Sequence, residues 1–237
     1  VSRFIGSRRA LLVPSIVRPF ALDFVANTGM VTSFGFADPQ NFTGKNLGPA
    51  DPTRKIHVCV MVGDIDGAPT INGVTVDGVA GSLVTGSATS GGEGRTQIWT
   101  ADLGGAGNNN TTGTISVDLS GPADRVVAIA VYRMVNAGAT TPVAGVSNSS
   151  GDPSATLNLP ASGWGAIGCM FNSANSGSVN PLASGNFTQE NLDDGSSGKI
   201  VAAARAAPGL SSGNNTFTFD VSAPSGNSIA SFAAWGP

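Results

Sequence analysis

The sequence predicts an all-β chain: an antiparallel two-sheet sandwich, jelly-roll-like, with an extended basic N-terminal arm. Three observations predict it. Short apolar segments are broken every ten residues or so by turn residues, with 33 Gly and 14 Pro in 237 residues, the spacing of sandwiches and barrels. Several segments alternate apolar and polar side chains with period two. Residues 1–19 carry four arginines and no acid, whereas the remainder holds 8 basic against 15 acidic residues, a net of −7. A hydrophobic content of 41% against 11% charge argues against disorder. No apolar run approaches the length of a membrane span.

The chain opens with VSRFIGSRRALLVPSIVRP (1–19). A basic start and an apolar stretch look like a secretory signal, but Pro14 interrupts the stretch and no small-residue cleavage site follows, so the segment reads as an attachment arm. Its candidate assembly residues are the cations Arg3, Arg8, Arg9 and Arg18 and the apolar Phe4, Ile5, Leu11, Leu12, Val13, Ile16 and Val17. A basic arm on an acidic body points to a partner of the arm's own. Solubilising a loose terminus would use the same four arginines. Ordering such an arm needs a docking surface, for example a sheet edge on a neighbouring subunit; packing on its own body is the alternative.

FALDFVA (20–26) and VTSFGF (31–36) read as lead-in strands, so residues 1–40 form the arm with its lead-in and 41–237 the sandwich domain. In NLGPADPTRKIHVCVMV (46–62), Gly48, Pro49 and Pro52 end one segment. Asp51, Arg54 and Lys55 mark the corner before KIHVCVMV, which is apolar on both faces. RVVAIAVYRMV (125–135), WGAIGCMF (164–171) and SIASFAAW (228–235) have the same character. Such strands sit centrally, with both faces covered. Gly165, Gly168, Ala230 and Ala233 allow another layer to approach closely. TGTISVDLS (112–120), ATLNL (155–159) and NTFTFDV (215–221) alternate, as half-buried strands do. INGVTVDG (71–78) and RTQIWTA (95–101) are further candidates. GKIVAAARAA (198–207) has helix-forming alanines, but Gly198 before it and Pro208-Gly209 after it favour a strand between turns. No internal repeat and no linker between two halves is legible.

Motifs for chemistry are weak. GLSSG (209–213) fits the G-x-S-x-G pattern, but it precedes a strand, whereas the nucleophile elbow lies between a strand and a helix. His57 is the sole histidine, so any Ser-His pair with Ser211 must use it, and it lies within an apolar strand. GDIDG (63–67) and LDDGSSG (192–198) place two carboxylates by a glycine without full calcium-loop spacing; they read as Asp-Gly turns. Cys59 and Cys169 lie in different strands with no metal spacing and read as buried free thiols. Aromatics are 6% of residues, and Trp99, Trp164 and Trp235 fall within strands, where core packing explains them. An acidic body argues against nucleic acid as the main partner.

NLGPADPTRKIHVCVMV, PTINGVTVDGVAGSLV (69–84), TQIWTADL, TGTISVDLSGPADRVVAIAVYRM (112–134) and the ending SIASFAAWGP are similar, in that order, to a group of virion proteins. These are the β-sandwich proteins encoded in structural gene clusters of tailed phages, prophages and gene transfer agents of alphaproteobacteria. The resemblance covers roughly residues 42–237 and leaves the arm outside it. It implies a non-enzymatic virion component on the particle exterior: a capsid decoration, head fibre or minor tail protein. Its partners would be capsid or tail subunits and copies of itself, with no cofactor and no catalytic residues. The competing expectation is a lectin-like module whose loops 104–113 and 172–186 contact a host-surface glycan.

Overall fold

A computed structural model describes residues 18–28, 31–34, 38–63, 69–86, 93–121, 124–138, 140–148, 151–173, 178–179, 187–193, 199–222 and 227–237. The first half of the chain supplies β1 (Ala21–Asn27), β2 (Val31–Phe34), β3 (Gln40–Asn46), β4 (Lys55–Gly63), β5 (Thr70–Val76), β6 (Val79–Ala80), β7 (Ser82–Gly86), β8 (Gly94–Asp102), β9 (Thr112–Ser120) and β10 (Asp124–Val135). The second supplies β11 (Thr140–Asn148), β12 (Ser154–Leu159), β13 (Trp164–Asn172), β14 (Ser178–Val179), β15 (Phe187–Asp193), β16 (Ile200–Leu210), β17 (Gly213–Thr218), β18 (Val221–Ser222) and β19 (Ser228–Trp235). The alanine-rich segment is the strand β16, whose neighbours β13 and β15 pair with it on both sides.

The chain is all-β and antiparallel, as its composition predicts, and the sandwich arrangement occurs once in each half. Inner sheet β1-β10-β4-β8-β7, with β2 also on β10, faces outer sheet β3-β9-β5-β6. Inner sheet β11-β19-β13-β16-β15 is covered by the ribbon β12-β17, while β14 and β18 form a separate two-stranded ribbon. The two inner sheets pack on each other, so the expected two-sheet sandwich is present in each half and the whole is a stack of four layers. Strands apolar on both faces are the physical signature of this arrangement. In β4, Ile56, Val58, Val60 and Val62 face Ile115, Val117 and Leu119 of the outer sheet. Cys59 and Met61 point the other way, onto Ile167, Cys169 and Phe171 of β13. The third core sets Phe217, Phe219, Leu157 and Leu159 against Ala202, Ala204, Ala230 and Phe232.

The two halves repeat one strand succession. β1 and β11 are edges, β4 and β13 are centres, and β10 and β19 each join that edge to that centre. β7 and β15 are the opposite edges, on β8 and β16. Outside, β9 pairs with β3 and β5, and the interrupted pair β17 and β18 does the same for β12 and β14. No sequence repeat accompanies this because the cores are filled differently: valine and isoleucine on both sheets of the first half, phenylalanine against alanine in the second.

At the joint between the halves, Phe171 fills a slot over Gly63 and Gly94, which are paired across β4 and β8. A Cβ on either glycine would overlap the Phe171 ring, so both positions require glycine by close approach.

Candidate functional site

Of the assembly residues predicted in the arm, Arg3, Phe4, Ile5, Arg8, Arg9, Leu11, Leu12, Val13, Ile16 and Val17 lie outside the described residues. Arg18 is described and marks the arm's root. Its guanidinium is exposed and meets the Asp51 carboxylate at 2.7 Å. Asp51 Oδ1 also accepts the Thr53 amide at 2.8 Å and the Thr53 hydroxyl at 2.7 Å. Those Thr53 bonds, and then Arg18, hold the carboxyl below its usual range. Asn136, at the end of β10 and at φ 54°, donates its backbone amide to Thr53 Oγ1 at 3.0 Å and its side-chain amide to the Pro19 carbonyl at 3.0 Å. Two segments far apart in sequence, 51–53 and the end of β10, thus converge on residues 18–19.

Beneath the root lies Arg54, fully buried. It donates to the carbonyls of Gly48 (3.0 Å), Asn110 (2.9 Å) and Asn108 (2.8 Å). Burial foremost, and then the charge of Arg133, pull its pKa down. Asp77 stands behind the same loop. Its Oδ2 accepts the side-chain amides of Asn108 (2.8 Å) and Asn110 (2.7 Å), and these bonds keep its carboxyl low. Arg133 ties the other side, donating to the Pro49 carbonyl at 2.9 Å and reaching Asp23 at 3.3 Å. The corner read from Asp51, Arg54 and Lys55 is therefore a hydrogen-bonded collar. Asp51 holds the arm, Arg54 holds the loop 104–111, and Lys55 starts β4. Asn136, Asp77 and Arg133 were missed because their partners are 31 to 117 residues away.

A cleft of about 550 Å3 lies at the other end of the outer sheet. Its wall runs from Asp38 and Pro39, just ahead of β3, across Ser116 and Asp118 of β9 to Asn72, Gly73 and Thr75 of β5, with Trp99 behind. Asp38 Oδ1 accepts the Leu119 amide at 3.0 Å, and Asp118 Oδ1 accepts from Asn72 at 3.4 Å. Trp99 donates its indole N–H to Gln97 at 2.8 Å and is 8% exposed.

The remaining motifs are not brought together. His57 is sealed between the inner sheets. Its Nδ1 shares a 2.6 Å hydrogen bond with the Thr100 hydroxyl, and its ring lies 4.2 Å from that of Trp235. Burial lowers its pKa to about 3. Ser211 is exposed on the turn between β16 and β17, so the two share no site. Cys59 and Cys169 are free and buried, and burial raises the Cys59 thiol well above its usual value. Trp164 and Trp235 are core residues. Most of GDIDG and of LDDGSSG, and the loop 174–177 with 180–186, lie outside the described residues.

Comparison with protein-family models, with curated proteins and with solved structures finds no match to this chain. The arm root and the cleft are therefore read from their own geometry.

Proposed function

We propose that the chain is a non-enzymatic structural or accessory protein of a virus-like particle, a capsid decoration, head fibre or minor tail component, that docks through residues 1–18 and projects the β stack. The reading is supported by the resemblance carried by residues 42–237 and by the separation of charge between arm and body. The observation that carries it is the collar: Arg18 and Pro19 are held by Asp51 and Asn136, on a loop pinned from inside by a buried arginine. The base of the arm is thereby tied to the body at residues 18 and 19, as a docking arm requires. Its partners are capsid or tail subunits and further copies of itself.

The test is co-sedimentation with purified particles and the native mass by light scattering, for the full chain and for a form lacking residues 1–17. Particle binding or a defined oligomer that is lost on shortening supports the reading. Equal behaviour of both forms, with no particle binding, removes it. A second reading, a host-surface glycan-binding module, is favoured by the cleft, where Asn72, Asp118 and Trp99 offer amide, carboxylate and aromatic surface. Binding of a bacterial surface polysaccharide that is lost in Asp118→Asn would establish it.

A further inference from the structure

We propose that the cleft on the outer sheet binds a saccharide carrying a free ammonium group, an amino sugar of a surface glycan, with the ammonium held by Asp38 and Asp118. The proposal rests on the glycan reading above and deepens it by naming the class of sugar.

The pairing of β5 with β9 makes the floor. Gly73 lies opposite Asp118, and Thr75 opposite Ser116. A Cβ on Gly73 would meet no atom within 4 Å, so the space beside Asp118 is open to a ligand. The register shift between Ile71 and Gly73 leaves Asn72 as the extra residue of a bulge, a device that re-aims a side chain. Asn72 donates to Asp118 Oδ1 at 3.4 Å and accepts the Ser120 hydroxyl at 3.4 Å. Asp38 arrives from the β3 side and accepts, at 3.0 Å, the amide of Leu119, the residue after Asp118. The volume of about 550 Å3 lies within the ~300–1,000 Å3 of clefts that enclose a ligand.

The unspent polar capacity of the wall selects the ligand. The second oxygens of Asp38 and Asp118 enter no other hydrogen bond or ion pair among the described residues, and no Lys, Arg or His lines the cleft. A neutral hydroxyl would occupy one acceptor and leave the charge uncompensated. An ammonium supplies three donors together with the opposite charge, in charge-assisted bonds. Trp99 is 8% exposed and gives its N–H to Gln97, so it forms an apolar wall and not a platform for stacking a sugar ring. Recognition therefore falls to the carboxylates. The hydroxyls of Thr75 and Ser116 lie on the same floor and suit the hydroxyls of a sugar, which a simple diamine lacks.

The experiment is calorimetric titration of the full chain with a β-1,4-linked glucosamine trimer, its N-acetylated counterpart and putrescine, at a mildly acidic pH where the amines are charged. The glucosamine trimer is expected to bind about tenfold or more tightly than either of the others, and less tightly as salt is raised. That preference should vanish in Asp38→Asn/Asp118→Asn, whose carboxamides keep the acceptors used by Leu119 and Asn72. It should persist in Asp102→Asn/Asp220→Asn, which removes the same charge elsewhere on the body. Should the cleft double variant fail to fold, Gly73→Val, which fills the floor without changing charge, is expected to abolish binding. Equal weakening in the two double variants overturns the proposal, since the attraction would then be to the acidic body at large. Putrescine binding as tightly as the trimer overturns the saccharide assignment. Equal binding of both trimers, lost in Gly73→Val, overturns the ammonium assignment and leaves the glycan reading standing. Binding of neither trimer overturns the proposal, and the surface-polysaccharide assay above then decides the glycan reading by itself.

Discussion

Between pH 7.5 and 5, acidification is expected to act on this fold through one residue. His57 is fully buried between the inner sheets, against Trp235, and its pKa is about 3 when folded. Released into water the imidazole returns to about 6.5. A histidine whose folded pKa is depressed leaves the folded state at full stability above the unfolded pKa. Stability then falls as pH drops from 6.5 towards 3, because the unfolded chain binds the proton and the folded one refuses it. Linkage gives a loss of about 2 kcal/mol at pH 5 relative to pH 7.5, rising to roughly 4 to 5 kcal/mol near pH 3. Asp51 and Asp77 have carboxyls below their usual range and act at more acid pH, so the window from 7.5 to 5 isolates the histidine. Urea unfolding followed by tryptophan fluorescence measures it: the wild type should lose about 2 kcal/mol across the window. His57→Gln, which keeps a partner for Thr100, should lose only a small fraction of that. If the two proteins lose the same amount, the imidazole is not the group responsible and the reasoning fails.

Three further outcomes are expected. Arg54→Leu leaves the carbonyls of Gly48, Asn108 and Asn110 without their donor and should cost about 2 to 4 kcal/mol, with hydrogen exchange accelerating first in residues 104–111. Phe171→Ala empties the slot over Gly63 and Gly94 and should cost about 3 to 5 kcal/mol, whereas Gly63→Ala overfills it and should cost about 1 to 3 kcal/mol, both read from the urea midpoint. Neither Cys59 nor Cys169 should react with a thiol reagent in the native protein, and both should react on unfolding, since both are buried; rapid native labelling would contradict the inner-sheet packing.

The strands were legible where local chemistry decides them. Ile115, Val117 and Leu119 alternate with Thr114, Ser116 and Asp118, and β9 follows. The apolar runs of β4, β10, β13 and β19 announced strands covered on both faces, which they are. What covers them was not legible, because the cover of β4 is β13, more than a hundred residues later. The repeat of topology was hidden for a related reason: equivalent strands conserve their place in the sheet while their side chains fit different facing volumes. β3, with Gly44 at φ 63° and a bulge between Phe42 and Lys45, carries no alternating pattern and gave no signal. At the arm root, Asp51 and Arg54 were marked as a corner by the surrounding prolines and glycine, but Asn136 and Asp77 look like ordinary turn residues in the sequence. The cleft depends on Asp38, Asn72 and Asp118 meeting across three strands, a placement set by register and not by spacing along the chain.

The repeated succession of strands has a consequence for the two ends of the stack. A homodimer built from one such sandwich would show the same outer surface twice. One chain containing both is released from that identity. One end shows the cleft with Asp38 and Asp118. The other shows an uncharged ladder of hydroxyl pairs, Ser154 with Thr218 and Thr156 with Thr216, each at 2.8 Å. The molecule is thus polar in the geometric sense, with two ends of different chemistry.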